Sequence, residues 1–363
     1  MKHIFIDSNI FFDHWYFESA NFVLLMHYLE ASGSQLLLSE IVCEEVENLH
    51  SQGCSDVIAE IQKIDKKIQK LVGSRLNHDF SKLSKEYSFK NNLAQKTSAT
   101  IFFDYKQIDN RELVARAIKR IMPFKTNEKG FRDTLIWLSL LEYLKIEDTV
   151  GEIVFISKNS EDFFDEKKQN FHLDLLRDIE RYKLRCTIHP FLDLESFIKT
   201  LDNDKEEVGF KDILQHSIHK IESQIENAAE NLVNSLGISG FQKLLSLNGI
   251  SLPFVNSILE YTFEIDEGIE DWDIVSYRKI DGKSFYLRYA FELRICTVQV
   301  GVPINEYLQN KQKIDNYYSN VYLAEEEWAY FERYFRRLKF QINFILDVEN
   351  MQIDGAELIY EKV

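Results

Sequence analysis

The chain has 363 residues, enough for two domains that each bury a core. Hydrophobic residues make up 45% and charged residues 28%, which excludes a disordered or fibrous protein. No apolar run reaches the ~18 residues of a membrane span, the N-terminus has no signal-peptide core, and the four cysteines show no CxxC spacing. We therefore expect a cytoplasmic protein with reduced thiols.

The net charge of −16 argues against nonspecific attraction to nucleic acid, but the charge is unevenly distributed. Residues 61–132 contain 17 Lys and Arg against 7 Asp and Glu, so a basic segment lies inside an acidic chain. One interpretation of this segment is a solvated helical surface. The other is a surface that contacts nucleic acid.

In the first 200 residues, short apolar runs alternate with stretches of helical period. The apolar runs predict strands over 3–6, 35–38, 153–156 and 185–188. The periodic stretches predict helices over 20–31, 40–50, 55–72, 110–121, 132–145 and 172–183. This alternation predicts an α/β fold whose parallel sheet is covered by helices on both faces, with functional groups beyond the carboxyl ends of the strands.

A polar string over 202–207 predicts a linker, and hence domains over 1–203 and 204–363. Beyond it, helices are predicted over 210–237, 239–248 and around 324–338. Alternating patterns predict strands over 257–266, 272–279, 285–295, 340–348 and 356–361. We expect an α+β domain with a mainly antiparallel sheet, whose net negative charge favours regulation, oligomerisation or partner binding.

Four acidic residues of the first domain occupy comparable places. Asp7 ends the first strand, Glu45 lies in the helix after the second, Asp133 opens an apolar helix, and Asp162 follows the third strand. Each is at a strand's carboxyl end or about one helical turn beyond it, so we expect one acidic cluster. Carboxylates without His or Cys partners favour Mg²⁺ or Mn²⁺, and paired ions of this kind promote phosphodiester hydrolysis.

Each of these residues also has a structural interpretation. Asp7 with Ser8 and Asn9 could form a turn at a strand end, because such side chains bond their own backbone. Glu45 could be a solvated helix residue. Asp133 could complement the dipole of its helix, and Asp162 could cap one. The arrangement of all four at one end of one sheet favours a functional site.

Residues 4–10 (IFIDSNI) resemble the opening of a PIN domain, the metal-dependent nuclease fold of many toxin ribonucleases. Residues 41–46 (IVCEEV), 129–133 (KGFRD) and 157–163 (SKNSEDF) resemble the second, third and fourth motifs of that family, over about residues 1–200. Most members carry Asp where this chain has Asn159. The resemblance implies that the metal ligands are Asp7, Glu45 rather than Glu44, Asp133 and Asp162, supported by Ser8, Asn9 and Asn159.

The resemblance further implies a Mg²⁺- or Mn²⁺-dependent endonuclease that acts on RNA rather than DNA, with a toxin or antiviral-defence role. The alternative is a non-catalytic PIN scaffold that binds RNA or protein, for which Asn159 is the best support. The charge of the basic segment predicts a helical insert over about 55–125 that contacts the nucleic acid. The best candidates for these contacts are Lys66, Lys67, Lys70, Arg116, Lys119 and Arg120.

Overall fold

A computed structural model describes residues 2–74, 78–83, 85–125, 129–201, 218–324 and 328–360. The chain divides into two compact units: Met1–Phe17 with Leu25–Leu201, and Glu18–Leu24 with Asp202–Val363. None of the helices in the described ranges combines the length and hydropathy that crossing a membrane would need. The predicted linker over 202–207 and the start of the predicted helix over 210–237 lie outside the described residues.

A five-stranded parallel sheet forms the centre of the first unit, with strand order β3-β2-β1-β4-β5. Its strands are β1 (Lys2–Ile6), β2 (Gln35–Ser39), β3 (Thr100–Phe103), β4 (Val150–Ile156) and β5 (Arg185–Phe191). The middle strand, β1, places Phe5 opposite Leu37 of β2 and Phe155 of β4. Its run from Ile4 to Ile6 is fully buried, as expected for a parallel strand covered on both faces. The predicted α/β fold is confirmed.

Helices connect and cover these strands. They are α1 (Ala20–Ser32), α2 (Glu40–Val72), α3 (Phe89–Ala94), α4 (Asn110–Lys119), α5 (Phe131–Ile146), α6 (Ser160–Phe163), α7 (Leu173–Tyr182) and α8 (Leu194–Leu201). A short 3-10 turn, Ser8–Ile10, follows β1 directly. Every helix that follows a strand in this unit therefore begins beyond the carboxyl end of that strand, where the sequence places its acidic residues.

Two features of the basic segment differ from the prediction. The helices expected over 40–50 and 55–72 are one helix, α2, because Gly53 remains helical. This helix ends at Gly73, which has φ +80° and donates its N–H to the carbonyl of Gln69 at 2.9 Å. The insert is also not wholly helical, since β3 lies within it and extends the sheet beside β2.

The second unit contains a long antiparallel sheet with strand order β10-β9-β7-β6, in which β8 also pairs with β9. Its strands are β6 (Glu260–Lys279), β7 (Ser284–Pro303), β8 (Asn320–Ala324), β9 (Trp328–Asp347) and β10 (Gln352–Leu358). Its helices are a 3-10 helix (Ile218–Lys220), α9 (Glu222–Ser235), α10 (Ile238–Leu247) and α11 (Ile304–Tyr317). The α+β prediction is confirmed, but the helix expected around 324–338 is wrong, because residues from Trp328 onward form β9.

Candidate active site

Asp7 is the most buried carboxylate at the carboxyl edge of the parallel sheet, with 1% of its surface exposed. Its Oδ1 accepts the backbone N–H of Ser8 at 2.7 Å. Its Oδ2 accepts the amide of Asn9 at 2.7 Å and the hydroxyl of Ser157 at 2.6 Å. The turn that follows β1 and the residue that follows β4 therefore fix this carboxylate from two sides.

The environment of Asp7 disfavours its negative charge. Burial raises the pKa of Asp7 to about 7, and the charges of Asp133 and Glu45 act in the same direction. The hydrogen bonds from Ser157 and Ser8 oppose this rise, because they stabilise the ionised form. The carboxylate is thus held in position by donors while its charge is only partly compensated.

Glu45, on α2, lies beside Asp7. The hydroxyl of Ser8 donates to Oε2 of Glu45 at 2.8 Å and lies 3.3 Å from Oδ1 of Asp7. Oε1 of Glu45 accepts from the guanidinium of Arg132. The neighbouring Glu44 is exposed and instead accepts from the hydroxyl of Tyr105 at 3.2 Å. Of the two adjacent glutamates, Glu45 is therefore the one that the fold places next to Asp7.

Asp133 lies in the first turn of α5, three residues after Gly130, whose backbone conformation and surroundings only glycine fits. Gly130 has φ +93°, and a Cβ there would lie 2.1 Å from the carbonyl oxygen of Pro123. The amide of Asn159 donates to Oδ1 of Asp133 at 2.9 Å. Burial raises the pKa of Asp133, as do the charges of Asp162 and Glu45, against the hydrogen bond from Asn159.

Asp162 is buried in the short helix α6 and forms an ion pair with Lys125, whose Nζ lies 2.6 Å from Oδ1. The same ammonium lies 3.1 Å from Oε2 of Glu161. Asn159 connects α6 to the residues around Asp7, since its backbone N–H donates to the hydroxyl oxygen of Ser157 at 3.1 Å. Asn9 in turn accepts the backbone N–H of Lys158 at 2.9 Å.

The four carboxylates predicted from the sequence thus belong to one electrostatic group. The charge of Asp7 interacts with those of Glu45 and Asp133, and Asp133 also interacts with Glu45 and Asp162. Within the described residues, no three His, Cys, Asp or Glu side chains already converge as a ligand set for one metal ion. The protein's own Arg132 and Lys125 neutralise part of the charge instead. Neighbouring oxygen donors whose charges raise the pKa of Asp7 and of Asp133 fit a hard divalent cation.

Three polar residues of this network were not assigned a role from the sequence: Ser157, Arg132 and Lys125. Ser157 had a usable signal, because it follows β4 directly and parallel strands present such residues at one edge. For Arg132 and Lys125 the only signal was that both lie near Asp133 in the sequence. Their partners, Glu45 and Asp162, are distant in the sequence.

The predicted nucleic-acid contacts divide into two groups. Lys66, Lys67, Lys70, Lys119 and Arg120 are exposed on the last turns of α2 and at the end of α4. Arg116 requires a correction, because it is 3% exposed and forms an ion pair with the buried Asp178. Its guanidinium also donates to the carbonyl of Met122 at 3.0 Å. Arg116 therefore supports the packing of α4 and is not available to a ligand.

A family model described as a PIN domain matches residues 4–163. The first unit is a PIN domain. The matched segment runs from β1 to α6 and includes Asp7, Glu45, Asp133 and Asp162. Comparisons with curated proteins and with solved structures gave no match. PIN domains have a nuclease-like fold and are in general nucleases.

Proposed function

We propose that the PIN domain is a Mg²⁺- or Mn²⁺-dependent nuclease that hydrolyses phosphodiester bonds in RNA. The observation that carries this proposal is the buried carboxylate of Asp7, fixed by three side chains and interacting with the charges of Glu45 and Asp133. Such an arrangement is costly for the isolated protein, because like charges and burial both disfavour ionisation. A divalent cation removes that cost.

In this proposal Asp7, Glu45, Asp133 and Asp162 hold the metal. When bound, a divalent cation supplies Lewis-acid activation of water and of the phosphate oxygens. Ser8, Asn9 and Ser157 orient Asp7, and Asn159 orients Asp133 through its side-chain amide. No side chain needs to act as a nucleophile, since the attacking group is water.

The exposed Lys66, Lys67, Lys70, Lys119 and Arg120 supply contacts to phosphates away from the acidic edge, where the local charge would repel a polyanion. The choice of RNA, and a role as toxin or antiviral-defence effector, follow from the resemblance to toxin ribonucleases. Regulation, self-association or partner binding is assigned to the second unit, whose chain is net acidic.

A second candidate function is a non-catalytic PIN scaffold that binds RNA or protein. The ion pairs from Arg132 to Glu45 and from Lys125 to Asp162 favour it, because they compensate two carboxylates without a metal. The two functions make opposite predictions for the effect of metal on the protein.

The deciding experiment incubates the full chain with end-labelled RNA and DNA strands in Mn²⁺, in Mg²⁺ and in EDTA, and follows metal binding by calorimetry. The nuclease proposal expects metal binding, and cleavage that EDTA abolishes and that Asp133→Asn prevents. Absence of both cleavage and metal binding in the folded wild-type chain would support the scaffold. Cleavage that survives EDTA would contradict the metal-dependent mechanism.

A further inference from the structure

Exposed aromatic rings in the PIN domain are concentrated beyond the carboxyl edge of its sheet. Among its described residues, the exposed large aromatic residues are Phe12, Tyr16, Phe102 and Phe131. Phe12 and Tyr16 follow the turn after Asp7, Phe102 is near the end of β3, and Phe131 lies two residues before Asp133. Val150, an exposed aliphatic side chain, lies at the opposite edge.

Phe12 and Tyr16 belong to a loop that is held firmly at both ends. Phe11 and Phe17 are fully buried, and both pack their rings against Phe89 with centroids 4.9 and 5.5 Å apart. The backbone N–H of Phe17 donates to the carbonyl of His14 at 3.1 Å. The exposed rings between these anchors are therefore presented by a fixed backbone.

Neighbouring rings also restrict Phe12 and Tyr16. Tyr16 contacts Tyr87 edge to face at 5.9 Å between centroids, and Phe12 contacts Trp15 in the same way at 5.6 Å. The hydroxyl of Tyr87 donates to the carbonyl of Trp15 at 2.6 Å. Yet Phe12 and Tyr16 remain 51% and 50% exposed, so about half of the surface of each residue is open to a ligand. Rings restricted before binding lose little conformational entropy when a ligand packs on them.

Phe131, two residues before Asp133, offers a comparable ring. It is 50% exposed and packs edge to face on the buried Phe124 at 6.3 Å. It follows Gly130, whose backbone is fixed by its close approach to Pro123, and it shares the first turn of α5 with Asp133. The exposed rings therefore fall into two groups, one continuing from Asp7 and one preceding Asp133.

We propose that Phe12, Tyr16 and Phe131 are stacking positions for the bases of a nucleic-acid strand bound at this edge. This inference rests on the proposed nuclease function, and it assigns the residues of this chain that hold the bases. Base stacking on aromatic rings tolerates any sequence but needs a base whose face is not covered by a duplex neighbour.

The charges around the rings fit a strand better than a protein partner. A protein that covered the rings next to Asp7 and Asp133 in the sequence would also cover an acidic edge, and burying unpaired charges is unfavourable. A strand brings apolar base faces to the rings while its phosphates stay near solvent. A cation is available for them, because Lys158 is exposed, and its charge is felt by His14 of the Phe12–Tyr16 loop.

The test measures binding of the full chain to fluorescently labelled single strands of RNA and DNA and to the matching duplexes, in EDTA so that no cleavage occurs. The variants are Phe12→Leu with Tyr16→Leu, and Phe131→Leu, which keep an apolar side chain but remove the ring. The matched control is Phe254→Leu, an exposed ring of the second unit. Phe12→Tyr with Tyr16→Phe keeps the rings and should keep the affinity.

Each lost stacking position should weaken single-strand binding by about 5-fold to 150-fold. The dependence of affinity on salt should stay unchanged, because no phosphate contact is removed. Single strands should bind more tightly than duplexes, and the RNA and DNA arms show which polymer is preferred. Unchanged affinity in both ring variants, or equal binding of duplex, would overturn the proposal. Absence of any strand binding by the wild-type chain would likewise overturn the proposal.

A cleavage assay on the same strands in Mn²⁺ separates this inference from the proposed function. Ring-dependent binding without cleavage would leave the stacking positions standing and refute the nuclease. Cleavage by the wild type, together with ring variants that bind as tightly as the wild type, would support the nuclease and refute the stacking positions.

Discussion

Replacement of Asp7 by Asn should stabilise the metal-free protein at neutral and alkaline pH while removing nuclease activity. The amide retains an acceptor for the backbone N–H of Ser8. It does not ionise, so no charge is buried at this position. It loses the hydrogen bond from Asn9, because two amide N–H groups would then face each other, whereas Ser157 can turn its hydroxyl to accept. The net effect therefore depends on pH.

The size of this effect follows from the pKa of Asp7. In the folded protein it is about 7, against an ordinary value of 3.8, so ionisation opposes folding increasingly as pH rises between these values. At pH 5 the penalty is about 1.5 kcal/mol, and at pH 8 it reaches about 4 kcal/mol. The hydrogen bond lost in the variant costs about 1–3 kcal/mol at either pH. The advantage of the variant over the wild type should thus grow by about 2.5 kcal/mol between pH 5 and pH 8.

The assay is calorimetric unfolding of both proteins in EDTA at pH 5, 6.5 and 8, with Asp13→Asn as the control. Asp13 is an exposed carboxylate of the neighbouring loop, so its replacement makes the same chemical change without burial. For a unit of this size, the difference in melting temperature between Asp7→Asn and the wild type should shift by about 5–10 °C across the pH range. A constant difference, or a large loss of stability at pH 8, would refute the assignment of Asp7 as a buried, uncompensated carboxylate.

Four further predictions address other parts of the molecule. Gly130→Ala should lower the free energy of unfolding by at least about 2 kcal/mol, because φ is positive and the new Cβ meets a carbonyl. Gly53→Ala, in the open middle of α2, should instead raise the free energy of unfolding by about 0.5–1 kcal/mol. Denaturant titration measures both changes. Arg116→Ala should cost about 3–5 kcal/mol in the same titration, since it leaves a buried carboxylate without its partner, and a neutral result would contradict a structural role for this ion pair. Lys119→Gln with Arg120→Gln should leave stability unchanged and flatten the dependence of log affinity on log salt for single strands by about 0.7 per contact; an unchanged slope would exclude this surface from binding. Light scattering of the full chain at increasing concentration should show a mass above that of one chain, and a monomer at every concentration would remove self-association from the roles proposed for the second unit.

The fold of the first unit could be predicted because its strands are short, apolar and separated by helices of clear period. The four carboxylates could be placed together for a related reason, since parallel strands present their carboxyl ends at one edge. The internal counterions could not be predicted in the same way. Arg132 meets Glu45, which lies 87 positions away in the sequence, and no local pattern encodes such a pair. The burial of Arg116 likewise depends on Asp178, 62 positions further along the chain.

The error over 324–338 has a physical cause in β9. The residues that the second unit buries there include Phe331, Phe335 and Leu338, a spacing of four and three that imitates one face of a helix. The imitation arises because the buried positions of the strand change from odd to even numbers near Arg337, where φ is +56°. In the partner strand the alternation over 285–295 is uninterrupted in the sequence, and there the strand prediction holds.

The bond between Ser157 and Asp7 has a consequence for the timing of synthesis. The two residues are 150 positions apart, and β1 lies between β2 and β4, so the first acidic residue is made long before the strand that completes its surroundings. At a ribosomal rate of about 5–20 residues per second, the interval is about 8–30 s. During that interval the nascent chain carries Asp7 but no assembled acidic edge. An enzyme of this design, if it cleaves RNA as proposed, stays inert toward its own messenger until most of the PIN domain has been translated.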